Sequence, residues 1–192
     1  MRTSLTVPAL LLTCSLVGCG FQRTTISVVN GNPLVASRYG DELADSMANL
    51  VISNDPILKD PKIRSVVDEE IALGKQMGTD ARSVEGEGMK GGVIPVKAEM
   101  DGIILYVHDL LYFSSDFTTK PGPDLHVYLT AAVDPRDMPF PDATAIDLGT
   151  IQSAYGAQTY AVPHQKNPML YRTFVLFDKK LQRLYGFAQL SK

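Results

Sequence analysis

The hydrophobic period of the chain changes near its middle, and this change limits the folds that the sequence can adopt. After residue 92, apolar side chains recur at every second position, most clearly where Leu125, Val127 and Leu129 alternate with a more mixed set. This period is typical of a strand with one face against a core. Seven other short runs have a similar character: 93–97, 103–107, 110–113, 145–148, 158–162, 172–177 and 183–190. Because no crossover-length helical segment separates them, about eight short strands are predicted in an antiparallel sandwich or barrel.

Residues 39–78 show a helical period instead. The apolar positions three or four residues apart are Leu43, Met47 and Leu50 in a first group and Ile63, Val67 and Ile71 in a second. This spacing predicts two amphipathic helices. Asp60 before Pro61 predicts the start of the second helix, because aspartate caps free N–H groups and proline suits the first helical turn. Asp55 before Pro56 predicts a short turn by the same reasoning.

A glycine-rich segment separates the two periodicities. Residues 86–92 contain four glycines in seven positions, which disfavours a helix or a central strand and predicts a linker. Upstream, the cluster Asn30-Gly31-Asn32-Pro33 predicts a turn, and 26–29 could form one short strand. The predicted divisions are a signal peptide (1–18), a tether (19–37), a helical segment (38–85), a linker (86–92) and a sandwich domain (93–192).

The N-terminus has the layout of a signal peptide. Arg2 precedes a mostly apolar stretch over 5–16, which is shorter than the roughly 20 residues needed to cross a bilayer. The stretch ends in Leu16-Val17-Gly18-Cys19, which resembles the bacterial lipobox. The resemblance implies cleavage before Cys19 and acylation of that cysteine, with palmitate among the expected acyl chains. The alternative is an ordinary secretory signal that leaves Cys19 as a free thiol.

A lipid on Cys19 would hold the protein on the extracytoplasmic side of a bacterial membrane. The residue after Cys19 is Gly20 and not aspartate. By resemblance to bacterial lipoproteins, this implies sorting to the outer membrane if the cell has two membranes. The only other cysteine is Cys14, inside the predicted signal peptide, so no disulfide or thiol chemistry is expected. The formal net charge of −3 and the lack of a basic run disfavour nucleic-acid binding.

Three stretches of the C-terminal half resemble the electron-transfer DM-thirteen domain. They are 116–129, then 146–151 with 156–163, and finally 171–178 with 185–190. The resemblance implies a β-sandwich of the kind found in secreted and surface proteins, with a role in electron transfer. The family's supposed redox cysteine would fall at the position of Asp178, and aspartate cannot carry an electron. Beside Lys179 and Lys180, Asp178 is expected to form a solvated ion pair at a strand end.

A possible binding surface comprises His126, Tyr128, Tyr160 and Asp178, although strand tyrosines are more often half in the core. No metal or cofactor is predicted, because the histidines at 108, 126 and 164 are scattered and show no metal-binding spacing. Two alternatives are copper or haem on His126 with a methionine (Met100, Met138 or Met169), and calcium in the loop 134–142. His108-Asp109 predicts a hairpin turn.

The sequence therefore predicts a lipid-anchored envelope protein that carries a non-catalytic β-sandwich for binding or interaction. Its partner would be the membrane, through Cys19, together with an unidentified envelope protein or small ligand. The alternative is an accessory protein in envelope electron transfer that uses a bound cofactor. Motifs for nucleophilic or phosphate chemistry are absent from the sequence. A hydrolase whose residues meet only in three dimensions is the third, weaker possibility.

Overall fold

A computed structural model of the protein describes residues 31–192. The predicted signal peptide, Cys19 and the short strand expected at 26–29 lie outside these residues. In the described part, two helices are followed by eleven strands arranged in three sheets. The fold is therefore mainly β with a helical segment on its N-terminal side, as the sequence predicts.

Two helices form an antiparallel hairpin. Helix α1 spans Pro33–Ile52 and helix α2 spans Pro61–Glu87, with a 3₁₀ turn at Pro56–Lys59 between them. The predicted start of the second helix is confirmed, since Asp60 Oδ1 accepts a hydrogen bond from the Lys62 N–H at 2.8 Å. The short turn predicted at Asp55-Pro56 is confirmed as well.

The first helix begins earlier than predicted. Asn32 caps it by accepting a hydrogen bond from the Leu34 N–H, and Pro33 is its first residue. Asn32-Pro33 thus repeats the cap-and-proline pattern of the second helix. The tether predicted through residue 37 was wrong for 33–37, because the turn signals at these positions start a helix.

Small residues let the two helices pack closely. A Cβ atom added to Gly74 would lie 2.6 Å from the Gly40 carbonyl oxygen and 2.9 Å from the Ala44 nitrogen. Gly78 similarly lies against Gly40. An ion pair at 2.7 Å between Arg82 and Asp41 joins the same faces of the hairpin. Backbone contact at this distance leaves no room for a side chain at Gly40 or Gly74.

The strands form two larger sheets and one small ribbon, and every pairing is antiparallel. The strands are β1 (Met89–Gly92), β2 (Ile94–Pro95), β3 (Met100–Asp101), β4 (Ile103–Val107), β5 (Leu110–Phe113), β6 (Thr118–Thr119), β7 (Leu125–Thr130), β8 (Ile146–Thr150), β9 (Gln158–Ala161), β10 (Thr173–Asp178) and β11 (Arg183–Gln189). The strand orders are β1-β4-β5-β9, β2-β11-β10-β7-β8 and β3-β6. Each of the eight predicted runs overlaps a strand, and the additional strands are β1, β3 and β6.

The glycine-rich segment is not a linker in this fold. Residues 86 and 87 end α2, and Met89–Gly92 form β1, which pairs with β4. Lys90 also exchanges backbone hydrogen bonds of 2.9 and 3.1 Å with Ser191. A Cβ on Gly91 would clash with the Gln189 carbonyl oxygen. The glycines therefore allow an edge strand to pass close to the end of β11, which the prediction of an unstructured linker missed.

The two larger sheets pack face to face around a shared aromatic core. Phe113 from β5 and Phe174 from β10 are fully buried and meet edge to face, with ring centroids 5.2 Å apart. Phe117 and Tyr160 pack on the same Phe113 ring. The pairing of residues from both sheets in one cluster is the defining feature of a β-sandwich.

Both outer faces of the sandwich are also covered. The helical hairpin covers the β4-β5 face, where Leu34 and Val84 pack against Leu105 and Tyr112. The loop 131–145 covers the β7-β10 face. Strand β7 was expected to be half-buried, but it is buried on both faces except at His126, because this loop lies across it.

We expect Gly74→Ala to destabilise the protein, although alanine normally favours a helix over glycine by up to about 1 kcal/mol. The added methyl group meets backbone atoms of α1, and overpacking of this kind costs about 1–3 kcal/mol. The free energy of unfolding from urea titrations followed by far-UV circular dichroism checks this. Gly86→Ala is the matched control, because nothing lies within 4 Å of a Cβ at Gly86. Equal or higher stability of Gly74→Ala would contradict the close packing.

Candidate functional site

Polar side chains gather at one corner of the larger sheet, where β7 begins and β10 ends. Strand β7 lies between β10 and β8, so His126 stands beside Phe177 on one side and Thr150 on the other. The loop that precedes β7 ends in Asp124, and the turn after β10 carries Lys179. Sheet topology therefore brings three separate segments of the chain to one place. We call this group of side chains the corner cluster: Asp124, His126, Asp147, Thr150 and Lys179.

A buried carboxylate lies directly beneath the corner cluster. Asp178 is 0% exposed. Its Oδ1 accepts hydrogen bonds from the N–H groups of Lys180 at 3.0 Å and Leu181 at 2.9 Å. Its Oδ2 accepts one from the Asp124 N–H at 3.3 Å. These bonds fix the β10-β11 turn and the loop before β7 to each other.

The expected solvated ion pair at Asp178 was therefore wrong. Period-two alternation along β10 places Asp178 on the same side as the core residues Phe174 and Leu176, so its side chain points inward. Gly122 makes room for it, since a Cβ there would lie 2.5 Å from Asp178 Oδ2 and 2.6 Å from the Tyr185 hydroxyl oxygen. A side chain at Gly122 would displace the carboxylate.

His126 lies between two carboxylates. Its Nδ1 is 2.8 Å from Asp147 Oδ1, and its Nε2 is 3.5 Å from Asp124 Oδ1. The Thr150 hydroxyl oxygen lies 3.4 Å from the same Nε2. Lys179 Nζ approaches Asp147 Oδ2 at 3.3 Å, which adds a cation to the cluster. The result is a compact set of charged and polar groups of both signs.

The surroundings of the corner cluster lower the pKa of Asp147 and raise the pKa of the neighbouring Tyr128. Burial alone would raise the pKa of Asp147. Hydrogen bonds from His126 and the Gly149 N–H, together with the charge of His126, have a larger opposite effect, so the pKa is lowered. Asp147 thus contributes stability that is present above the pKa of unfolded aspartate and is lost as the pH falls through its lower folded pKa. Burial, with the charge of Asp147 and a hydrogen bond to it, raises the pKa of Tyr128 to about 12.

The four residues of the predicted binding surface do not form one surface. Tyr128 is 3% exposed and lies under the loop 131–145, with its ring 5.2 Å from that of Phe140. Tyr160 lies in the opposite sheet and is buried in the core. Its hydroxyl donates to Gln158 Oε1 and accepts from the Gln152 N–H, and burial raises its pKa to about 12. His126 keeps partial exposure with its ring 6.2 Å from that of Tyr128, whereas Asp178 is buried on the core side of β10.

Four residues of the corner cluster were not recognised as site residues from the sequence: Asp124, Asp147, Thr150 and Lys179. Asp147 accepts a hydrogen bond from the Gly149 N–H at 2.9 Å. An aspartate two residues before a glycine is a sequence signal for such a turn. The closeness of Asp147, Thr150 and Lys179 to His126 depends on the strand order, which the sequence does not reveal. Asp124, though quoted in the first resembling stretch, was not recognised as a site residue.

The other two histidines lie elsewhere, each with its own carboxylate. His108 Nε2 is 2.8 Å from Glu87 Oε2, and His164 Nδ1 is 2.8 Å from Asp109 Oδ2. The predicted hairpin turn at His108-Asp109 is confirmed, since both residues have the positive φ of a tight turn between β4 and β5. Within residues 31–192, no group of three or more His, Cys, Asp or Glu side chains is arranged to hold a metal ion.

The fold and the corner together define a β-sandwich protein with a polar cluster at the edge of one sheet. Residues 97–190 match the family model described as Electron transfer DM13. This match covers 94 of the 192 residues and agrees with the resemblance that the sequence motifs of the C-terminal half indicate. Searches of the curated proteins and of the solved structures gave no match. Of the helices formed by residues 31–192, none is long and apolar enough to span a bilayer.

Proposed function

We propose that the chain is a lipid-anchored protein of the bacterial cell envelope whose sandwich is a non-catalytic binding module. Lipid on Cys19 would hold it on the extracytoplasmic side, at the outer membrane in a cell with two membranes. The corner cluster would contact the partner, an envelope protein or a small polar ligand. The helical hairpin and the sandwich would then be displayed together from the membrane.

The environment of Asp178 carries this proposal. The family resemblance places a redox cysteine at this position, and the residue present is a carboxylate that is fully enclosed and engaged with backbone N–H groups. A group that is buried and hydrogen-bonded in this way is structural. The sequence beyond Cys19 contains neither cysteine nor tryptophan, so the chain after the anchor has no ordinary redox-active thiol.

The exposure of the corner cluster supports recognition of a polar group. The side chains of Asp124, Asp147 and Lys179 are 30%, 35% and 44% exposed, so each combines a fixed position with access from solvent. A partner would meet a cation and carboxylates at short spacing, which favours a polar or charged surface of matching pattern. The Thr150 hydroxyl at the same edge adds a donor and acceptor.

A catalytic role is less well supported by this geometry. Thr150, His126 and Asp147 follow one another in hydrogen-bonding order, which is the connectivity of a nucleophile, a base and an orienting acid. However, Asp124 faces the same His126 nitrogen as the threonine hydroxyl, so the hydroxyl competes with a carboxylate for it. The cluster also lies at the edge of a sheet, whereas most catalytic sites are concave.

The second candidate function is an accessory role in electron transfer with a bound cofactor, which the description of the family favours. The donor groups of the described residues do not fit such a cofactor well. The three histidines pair with carboxylates in different parts of the fold and do not converge. We therefore assign no electron-transfer step to them.

We expect Cys19→Ala to abolish incorporation of labelled palmitate in a bacterial host, because the substitution removes the thiol that would carry the lipid. Cys14→Ala is the matched control and should be labelled like the original chain, since that cysteine lies in the predicted signal peptide. Intact mass spectrometry should find a mature chain that starts at acylated Cys19. Persistent labelling of Cys19→Ala, or no labelling of the original chain, would contradict the anchor.

We also expect the full chain, purified from its native host, to show no visible absorbance band and no reversible voltammetric wave while folded. The physical reason is that Asp178 stands where the resemblance expects the redox group and that no other donor set converges among residues 31–192. Absorption spectra, metal content and protein-film voltammetry measure this. A stoichiometric chromophore that is lost in His126→Ala, but kept in the control His164→Ala, would support the electron-transfer role instead.

A further inference from the structure

The helical hairpin extends well beyond the sandwich. It contacts the sheets at the end where α1 begins and α2 ends: Asn32 Nδ2 donates to the Phe113 carbonyl at 2.8 Å, and Glu87 contacts His108. Farther along α1, Arg38 donates a hydrogen bond to Ser115 Oγ at 3.1 Å. At a rise of about 1.5 Å per residue, the rest of α1 runs about 20 Å past this point. We call the far end, residues 52–66, the hairpin tip.

The hairpin tip exposes three branched aliphatic side chains. Ile52, Ile57 and Val66 are 76%, 48% and 55% exposed. The antiparallel register that places Gly40 opposite Gly78 and Ala44 opposite Gly74 continues to place Val66 opposite Ile52. The exposed side chains therefore share one end of the hairpin. Single exposed apolar residues are common, but several together at the end of a projecting arm indicate a contact surface.

Basic residues flank this apolar end. Lys59 and Lys62 are exposed between Ile57 and Val66. Residues 52–66 carry three cations and two carboxylates, Asp55 and Asp60, which accept backbone N–H bonds at the starts of their helical segments. Beyond the tip, Asp68 pairs with Arg64 at 3.1 Å, and Glu69 accepts a hydrogen bond from the Ser65 hydroxyl at 3.0 Å. An apolar end bordered by lysines fits the interface of a bilayer that contains anionic lipids, because lysines are attracted to the headgroups.

The length of chain between the lipid and the hairpin permits this contact. Thirteen residues lead from Cys19 to Asn32, and they span at most about 45 Å. Helix α1, with 20 residues, is about 30 Å long. If the tip faces the membrane, the start of α1 lies about one helix length away from it. The segment from Cys19 to Asn32 is long enough to cover that distance.

We propose that the hairpin tip rests on the membrane that holds the lipid on Cys19, at anionic headgroups. The aliphatic side chains enter the interface, and the hairpin holds the sandwich away from the lipid. The corner cluster is then presented at a fixed distance from the membrane. This inference rests on the proposed lipid anchor, but it concerns a separate surface and is tested separately.

The experiment uses the full lipidated chain in vesicles of phosphatidylethanolamine and phosphatidylglycerol. Lipid blocks Cys19, so Ile57→Cys supplies a single thiol for an environment-sensitive fluorophore. We expect its emission to shift to the blue and lose about half its intensity when the vesicles contain brominated lipid, because the probe lies at the interface. Val66→Cys should behave in the same way. Tyr155→Cys is the matched control, 65% exposed but on the sandwich, and should not be quenched.

The outcomes separate the two proposals. Recovery of the unlabelled original chain in the supernatant, separate from the vesicles, would overturn the anchor and with it the tip proposal that rests on the anchor. Vesicle-bound protein in which the probe at 57 is quenched no more than the probe at 155 would overturn the tip proposal and leave the anchor intact. A blue shift that grows as more protein is placed on the vesicles, but that brominated lipid does not change, would also overturn the tip proposal. It would indicate contact with a second copy of the chain.

Discussion

The carboxylate of Asp178 is the constraint on which the candidate site depends. It is enclosed at the end of β10 and accepts N–H bonds from two residues of the following turn and from Asp124 in a distant loop. Leaving a buried polar group without a partner costs about 1–3 kcal/mol, so the three bonds to the enclosed carboxylate fix the geometry of the turn. Lys179, in that turn, returns a backbone hydrogen bond to the Asp124 carbonyl at 3.0 Å. His126 and Asp147 are then held in register by the sheet itself.

This arrangement gives a physical account of how the domain differs from the redox expectation of its family. Asp178, at the position that the resemblance assigns to a cysteine, is buried and holds the backbone in place. The groups that reach solvent are those of the corner cluster. The hairpin and the loop 131–145 cover the two outer faces of the sandwich, which leaves the sheet corner as an exposed part of the larger sheet. The proposed binding role of the corner rests on this pattern of burial and exposure.

The sequence predicts the architecture well because local signals agree with the tertiary fold. Period-two runs mark the strands, and Asp60-Pro61 marks a helix start that the structure confirms. The errors have local causes too. Asn32-Pro33 was predicted to form a turn, but it caps a helix. The glycines of 86–92 were predicted to form a linker, but they allow an edge strand.

The candidate site could be predicted only in part. His126 was identified, and the alternation of β10 would have placed Asp178 on the core side. Asp147 and Lys179 could not be joined to His126 from the sequence, because their contact depends on β8 and β10 flanking β7 in the sheet. The burial of Tyr128 depends on the loop 131–145, which follows β7 and folds back over it. No local sequence pattern predicts that contact.

Amide hydrogen exchange at Lys180 and Leu181 tests the central claim, that the Asp178 carboxylate organises the corner. In the original chain these amides should exchange slowly, like those of the flanking strands. In Asp178→Ala their protection should fall by about 10- to 100-fold, as expected for loss of about 1–3 kcal/mol, while Asp178→Asn, which keeps one acceptor oxygen, should lose less. Fast exchange in the original chain, or unchanged protection in Asp178→Ala, would contradict the account.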